Sequence, residues 1–165
     1  MALHFGPDVS IRQVMQLLLE EHGVVAAYRA TGKTTALLEY VALRSFRLKK
    51  SLGILCFDDK MMKQIHGMFR SKFYPFKYEP VFHCYPEWFR NHVDEVYVDE
   101  PWKFEIQRLR AFDLIPIYGA IGTPDGMTWE SCSITKLPSP SLNETGLDKS
   151  PWNLAKRWCN TMSII

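Results

Sequence analysis

The sequence predicts an α/β fold with a mainly parallel, twisted sheet and helices on both faces. Two observations support this prediction. Short apolar runs of strand length alternate along the chain with longer segments of helical periodicity. The apolar runs also read as strands that are buried on both sides, which is typical of parallel sheets. Strands that alternate with helices are joined by right-handed crossovers, and the helices then cover the sheet.

The chain begins with a helix, a strand and a second helix. Ser10 is a suitable N-cap for a helix that continues to about Glu21, because apolar residues recur at helical spacing after it. Residues 23–27 form a short apolar strand. From Lys33 a second amphipathic pattern predicts a helix, and its basic end suits the negative end of the helix dipole.

Another strand and helix follow. Residues 52–57 read as a second buried strand, and Asp58 or Asp59 can cap a helix that continues to about Arg70. The next stretch is rich in proline and aromatic residues. Within it we predict a short strand near residues 81–85.

Two more strands complete the predicted sheet. The first covers residues 95–98, and the second covers residues 114–121 and ends in the turn sequence 122–126. A helix is predicted between them, over residues 102–111.

The character of the chain changes after residue 130. Residues 131–150 are rich in serine and proline, which is typical of a linker, and residues 151–159 are predicted as one short helix. We therefore predict a core at residues 1–130 and a tail at residues 131–165.

Composition excludes several classes of protein. The chain has 165 residues, 47% hydrophobic and 23% charged residues, and a net charge of +2, which suit one globular domain. No signal segment and no apolar run of membrane-spanning length is visible, so we expect a soluble, cytoplasmic protein without a membrane partner. No CxxC spacing occurs, so neither a zinc site nor a disulfide framework is expected. The cysteines are Cys56, Cys84, Cys132 and Cys159.

The segment between the first strand and the second helix carries a phosphate-binding pattern. Gly32, Lys33 and Thr34 match the end of G-x-x-x-x-G-K-[ST], the loop of P-loop NTPases, with Ala27 in place of the first glycine. Gly32 would let backbone N–H groups approach phosphates, Lys33 would neutralise their oxygens, and the Thr34 hydroxyl would ligate Mg²⁺. The alternative is a charged helix N-terminus without a ligand. The predicted nucleotide-binding residues are Tyr28, Arg29, Ala30, Thr31, Gly32, Lys33, Thr34 and Thr35, together with Gln13.

The strand at residues 95–98 leads into two carboxylates. Asp99 would hold Mg²⁺, mostly through water, and Glu100 would act as the general base for an attacking water. The alternative is a strand that ends in an ordinary acidic turn.

Three further residues have a functional and an ordinary interpretation. Arg29 is predicted either to stabilise the charge on a γ-phosphate or to be a surface arginine. Gln13 either reads adenine or is a solvated helix residue, and Thr123 either senses the γ-phosphate or belongs to a simple turn.

A basic set either contacts a phosphate backbone or forms a solvated face. Its members are Arg44, Arg47, Lys49, Lys50, Lys60, Lys63, Arg70 and Lys72.

Taken together, these segments resemble the ATPase domain of the large terminase subunit, the genome-packaging motor of tailed phages. The loop at residues 28–35, the acidic strand end at residues 96–100 and the sequence at residues 121–126 carry the resemblance. Gly122 departs from the family pattern, which usually has serine or threonine there. By this resemblance Lys33, Thr34, Asp99 and Glu100 would hydrolyse ATP, Arg29 would be an arginine finger, and Thr123 would couple hydrolysis to movement.

The resemblance implies a Mg²⁺-dependent ATPase that moves viral double-stranded DNA into a capsid, as a ring of identical subunits at the capsid portal in the host cytoplasm. The RNase H-like nuclease domain of terminases is not expected in 165 residues, so DNA cleavage is not predicted. Two alternatives remain open: a helicase-like ATPase stimulated by nucleic acid, and a nucleotide-binding switch or assembly protein with little turnover.

Overall fold

The computed structural model describes residues 11–20, 24–27, 32–104, 110–123, 135–137 and 163–164. The α-helices are α1 (Ile11–Glu20), α2 (Lys33–Leu48) and α3 (Asp59–Phe73). The strands are β1 (Val24–Ala26), β2 (Gly53–Leu55), β3 (Val81–His83), β4 (Val96–Asp99), β5 (Ile117–Gly122), β6 (Thr135–Leu137) and β7 (Ser163–Ile164). Short 3₁₀-helices lie at Pro86–Phe89, Pro101–Lys103 and Arg110–Leu114.

The strands form one mixed sheet in the order β3-β2-β4-β5-β1-β6-β7. Parallel pairings join the first five strands of this order, whereas β6 is antiparallel to β1 and β7 is antiparallel to β6. The predicted α/β class with a mainly parallel sheet is therefore confirmed. Among the described helices, none is both long and apolar enough to cross a lipid bilayer.

The strand order brings three chain segments together at one edge of the sheet. β5 lies between β1 and β4, and the three strands are parallel. Their carboxyl ends therefore point the same way, and open α/β sheets bind ligands at this edge. Backbone hydrogen bonds continue beyond the strands, from Ala27 N–H to Gly122 O at 2.9 Å and from Glu100 N–H to Ile121 O at 2.8 Å.

All three α-helices contribute to a hydrophobic core on one face of the sheet. β4 shows how the alternation of a strand separates the two faces, because Tyr97 packs into this helix-covered core while Val96 and Val98 belong to the core on the other face. Local signals place the helices. Asp58 caps α3 through a 2.7 Å hydrogen bond from Met61 N–H, and α2 ends where Lys49 adopts φ 54°.

The other face is covered differently from the prediction. Its described residues form no α-helix, and the 3₁₀-helices and aromatic side chains cover the sheet instead. The predicted helix at residues 102–111 is wrong at its start, because Phe104 has ψ 140° and ends the turn Pro101–Lys103. This extended backbone buries the Phe104 ring, whose centroid lies 5.2 Å from that of Phe112. Burial of the aromatic ring outweighs the helical pattern there. Residues 105–109 lie outside the described part.

The start of the last parallel strand and the tail also differ from the sequence prediction. The strand predicted from residue 114 begins at Ile117, because Arg110–Leu114 is a 3₁₀-helix and Pro116 has no N–H for the sheet. In the tail, β6 lies within the predicted linker at residues 131–150, and β7 lies after the predicted helix. The predicted helix at residues 151–159 lies outside the described residues.

Candidate functional site

The site is built around the first turn of α2. Gly32 precedes the helix with φ 79°, a left-handed conformation that glycine adopts without strain. The first hydrogen bond of the helix runs from Ala36 N–H to Gly32 O at 2.9 Å. The N–H groups of Lys33, Thr34 and Thr35 precede this bond, so they have no acceptor within the helix. Together with the positive end of the helix dipole, such amides favour a bound anion.

Ala27 occupies the position where the loop pattern has its first glycine. It is completely buried, and it is not among the residues with positive φ. An alanine side chain therefore causes no backbone strain at this position. Alanine in place of the first glycine of the pattern is therefore compatible with the backbone at the end of β1.

Glu100 lies between the first turn of α2 and the end of β5. Its Oε1 is 3.1 Å from Lys33 Nζ, and its Oε2 accepts a 2.9 Å hydrogen bond from Thr123 N–H. Both charged side chains are largely buried, at 13% exposure for Lys33 and 8% for Glu100. The structure thus brings together three residues that are far apart in the sequence. We call Lys33 and Glu100 the carboxyl-edge pair.

The backbone of Glu100 is unusual. Its φ of 54° and ψ of 61° lie in the left-handed region, which costs a non-glycine residue roughly 1–2 kcal/mol. Gly122 makes room for it: a Cβ there would lie 2.9 Å from Glu100 Cα and 2.8 Å from Glu100 Oε2. The close approach of these two residues therefore requires glycine at position 122. It also explains why this chain lacks the serine or threonine of the motif it resembles.

Asp99 is the most buried acid of the site, with 1% exposure. Burial, and then the nearby charge of Glu100, raise the pKa of Asp99 to about 7, while a hydrogen bond with Thr34 acts in the opposite direction. Among the described residues, Asp99 Oδ1 has no hydrogen-bond partner. A buried carboxylate oxygen without a partner is costly unless an additional ligand satisfies it.

This donor set fits Mg²⁺. The Thr34 hydroxyl and the Asp99 carboxylate supply adjacent hard oxygen atoms, and Asp99 Oδ1 is available. No cluster of three His, Cys, Asp or Glu side chains suited to a metal occurs within the described ranges. Mg²⁺ does not require one, because it keeps several waters and is commonly shared between one or two protein oxygens and substrate phosphates.

Thr123 ties two strand ends together. Its hydroxyl donates a 2.7 Å hydrogen bond to Ala27 O, and its N–H donates to Glu100. The end of β5 therefore contacts both the strand that leads into the loop and the acidic end of β4.

The other predicted residues fall into two groups. Thr35 lies in the first turn of α2. Gln13 lines a cleft of about 650 Å³ between α1 and the second half of α2, with Tyr40 and Arg47, and Lys33 is not among its described lining residues. An adenine-reading role for Gln13 stays a prediction. Four predicted loop residues, Tyr28, Arg29, Ala30 and Thr31, lie outside the described residues.

Much of the predicted basic face is engaged with acidic side chains. Five of its eight members form ion pairs: Arg44 with Glu95, Lys50 with Asp94, Lys63 with Asp59, Arg70 with Glu79 and Lys72 with Glu39. Arg47, Lys49 and Lys60 form no ion pair with any described residue. The positive charge available to a polyanion is therefore smaller than the sequence count suggests.

Sequence reasoning missed two features of this region. In the sequence Gly122 stands out only as a departure from a motif, although an unexpected glycine is a usual signal of close backbone approach. Arg44 was assigned to the basic face, whereas it forms a two-bond ion pair with the buried Glu95. No local signal pairs these two residues, because they are far apart in the sequence.

No protein-family model matches this chain. No curated protein matches it either.

Proposed function

We propose that this protein is a Mg²⁺-dependent ATPase with a P-loop NTPase core. One observation carries the proposal: the Lys33 ammonium lies 3.1 Å from the Glu100 carboxylate at a helix N-terminus, beside the buried Asp99 and Thr34. A phosphate-binding cation, a general base and two metal ligands are the parts that triphosphate hydrolysis requires in one place. The choice of ATP rests on the resemblance of the motifs to those of terminases.

Each residue has a distinct role in the proposed reaction. The amides of the first turn of α2 bind phosphate oxygens, and Lys33 leaves Glu100 to neutralise the β- and γ-phosphates. Thr34 and Asp99 would hold Mg²⁺, which when bound supplies further neutralisation of phosphate charge. Once Lys33 has moved to the phosphates, Glu100 Oε1 is free to accept a proton from the attacking water. Thr123 N–H remains hydrogen-bonded to Oε2. The carboxylate thus remains oriented as its partner changes.

Burial adds to the effect of these groups. Both members of the carboxyl-edge pair are largely shielded from water, and charges interact more strongly in such surroundings than in bulk solvent. The same burial makes the paired state favourable without a nucleotide, because neither charge is left alone. Nucleotide binding therefore exchanges one charge partner of Lys33 for another.

We further propose that hydrolysis drives movement of double-stranded DNA into a viral capsid by a ring of subunits at the portal. The resemblance to terminases supports this part. Thr123 would be the coupler, because it contacts both Ala27, which leads from β1 into the loop, and the proposed base Glu100. Arg47, Lys49 and Lys60 are the cations we expect to contact the DNA backbone.

ATP turnover measured with and without duplex DNA, over a series of protein concentrations, tests both proposals. We expect hydrolysis that requires Mg²⁺, stops on chelation and increases with duplex DNA and with assembly. Single-stranded DNA or RNA as the better activator would instead favour a helicase-like ATPase. Tight ATP binding with negligible turnover at high protein concentration would favour a nucleotide-dependent switch. Failure to bind any nucleoside triphosphate would overturn the proposed function.

A further inference from the structure

A second ion pair joins α2 and β4 at the opposite edge of the sheet. Arg44 donates two hydrogen bonds of 2.6 Å to Glu95, one from Nε to Oε2 and one from Nη2 to Oε1. Glu95 precedes β4 and is 4% exposed. The buried Tyr97 hydroxyl donates a 3.2 Å hydrogen bond to the same carboxylate. We call Arg44 and Glu95 the amino-edge pair. Two-bond contacts of this kind fix orientation as well as distance.

The two ion pairs are equally spaced along the two elements that they join. From Lys33 to Arg44, α2 advances about 16 Å at about 1.5 Å per residue. From Glu95 to Glu100, the extended chain of β4 also advances about 16 Å at about 3.3 Å per residue. The helix and the strand are therefore linked at both ends over the same length. A shift of one along the other would disturb both ion pairs.

Side-chain alternation places the contacts on the correct face of β4. Glu95, Tyr97 and Asp99 are two residues apart, so they share the face that α2 covers. Between the two ion pairs, the rings of Tyr40 and Tyr97 pack edge to face with centroids 5.5 Å apart. The Tyr40 hydroxyl donates a 2.8 Å hydrogen bond to Glu20 of α1. The arrangement therefore fixes α2 against the strand and against the neighbouring helix.

We propose that Arg44 and Glu95 are positioning residues, which hold α2 in register with β4 while the carboxyl-edge pair opens to admit a nucleotide. This inference rests on the proposed function. When Lys33 moves to phosphate, one of the two largely buried ion pairs between α2 and the β4 segment is lost. Thr34 on α2 and Asp99 on β4 must nevertheless meet at one ion, and the amino-edge pair is the buried ion pair that still joins the two segments.

A purely structural pair would behave differently. Removing one partner of a buried ion pair destabilises any fold, so a lower melting temperature alone carries no information about positioning. A displaced α2 would instead separate Thr34 from Asp99. It would raise the Mg²⁺ concentration needed for half-maximal turnover and lower kcat, while the loop on α2 would still bind the nucleotide.

The first experiment compares Glu95→Gln with Asp94→Asn. The control makes the same chemical change at the adjacent residue, in an exposed ion pair with Lys50 that joins the same two chain segments. For Glu95→Gln we expect a decrease of about ten- to a hundred-fold in kcat, since a displacement of about 1 Å costs that much. We also expect a raised Mg²⁺ requirement and nearly unchanged nucleotide affinity. Asp94→Asn should leave all three unchanged.

Arg44→Lys is the second variant, in case Glu95→Gln does not fold. Lysine keeps the charge but not the two-bond geometry, so it should produce the same change in kcat and Mg²⁺ requirement, with less loss of stability. Wild-type kcat and Mg²⁺ requirement in folded Arg44→Lys or Glu95→Gln would overturn the positioning role.

The second experiment needs no hydrolysis. A double-mutant cycle of Lys33→Ala and Glu100→Gln, followed by urea unfolding without nucleotide, gives the coupling between the members of the carboxyl-edge pair. We expect this coupling to be reduced in the Arg44→Lys background and retained in the Asp94→Asn background. Equal coupling in both backgrounds would overturn the positioning role. A wild-type protein that binds no nucleotide would overturn the proposed function, and with it the opening of the carboxyl-edge pair for a nucleotide. The cycle would still show separately whether the amino-edge pair holds α2 in register with β4.

Discussion

The two edges of the sheet differ in how completely hydrogen bonds satisfy their buried carboxylates. At the amino edge, both oxygens of Glu95 accept a hydrogen bond from Arg44 at 2.6 Å, and Tyr97 adds a third bond. At the carboxyl edge, Glu100 has a strained backbone and a looser contact with Lys33. Asp99 there keeps an oxygen without a partner among the described residues.

The difference separates stability from function. Buried charges whose hydrogen bonds are all satisfied hold two elements together, and an exchange of partners would not lower their free energy. Strain and incomplete satisfaction, by contrast, cost free energy and persist only where the surrounding fold enforces them. Such features are expected where a ligand completes the bonding. We therefore expect a ligand at the carboxyl edge, and four sets of substitutions test this expectation.

The largest effect should follow loss of the carboxyl-edge pair. Lys33→Ala should abolish nucleotide binding or hydrolysis, because the phosphate charge loses its main cation. Glu100→Gln should still bind nucleotide and lower kcat by about 10²- to 10⁴-fold, the usual contribution of a general base. Equilibrium binding and steady-state turnover measure the two effects. The matched exposed variant Lys50→Ala should behave as the wild type, and a wild-type rate in Glu100→Gln would remove Glu100 as the base.

The strain at the carboxyl edge is tested at Gly122. Gly122→Ala adds a Cβ that would lie 2.9 Å from Glu100 Cα, so the backbone there must shift. We expect a loss of about 1–3 kcal/mol in the free energy of unfolding, together with reduced turnover because the base moves. Denaturant unfolding and kinetics measure both.

Gly67→Ala is the control for this substitution. A Cβ at Gly67 meets no atom within 4 Å, and alanine is the better helix former. We expect this variant to be as stable as the wild type or more stable. Equal stability of Gly122→Ala and Gly67→Ala would contradict the close approach of Glu100 to position 122.

The pH dependence of stability tests the burial of Asp99. The pKa of Asp99 is raised from 3.8 to about 7. Between about pH 4 and pH 7 the folded protein therefore keeps a proton on Asp99 that the unfolded chain has released. At this group the unfolded state binds fewer protons over this window, so the contribution of Asp99 to the free energy of unfolding of the metal-free protein falls as pH rises from about 4 to 7. The expected slope is at most about 1.4 kcal/mol per pH unit.

Asp99→Asn should remove this slope, because the amide does not titrate. The measurement is urea unfolding in a chelator across the pH range, with Asp94→Asn as the exposed control that keeps the slope. An unchanged slope in Asp99→Asn would show that another group causes it.

The smallest effect is expected at Thr123. Thr123→Val removes the hydroxyl that donates to Ala27 O, at an expected cost of about 0.5–1.5 kcal/mol in unfolding free energy. If Thr123 is the coupler, basal ATP turnover should persist while its stimulation by duplex DNA is lost. Thr123→Ser keeps the hydroxyl and should retain both. Stimulation of Thr123→Val to the wild-type level would contradict the coupling role.

Local patterns were sufficient to predict the parallel sheet and the residues that meet at its carboxyl edge. A strand that ends in Asp99, and a helix that starts after Gly32, fix where their polar residues lie once the strands are parallel. The roles assigned to these residues stay predictions. The left-handed backbone of Glu100 could not be predicted, since it depends on a neighbouring strand that has glycine at one position.

The amino-edge pair was beyond sequence reasoning for a different reason. Arg44 and Glu95 are separated by 51 positions, and charge composition alone does not distinguish a paired cation from a solvated one. The covering of the second face was also missed. Helical periodicity after Trp102 was outweighed by burial of aromatic rings such as Phe104, a tertiary effect that no local window contains.

The pairing of β6 with β1 has a practical consequence for anyone who shortens this chain. β1 is an interior strand only because Thr135–Leu137 covers its outer side. A version trimmed after residue 130 would leave the backbone N–H and C=O groups of that side without partners, and exposed strand edges recruit other chains. Biochemists who remove the tail to obtain a minimal fragment should therefore expect aggregation before they measure any loss of chemistry.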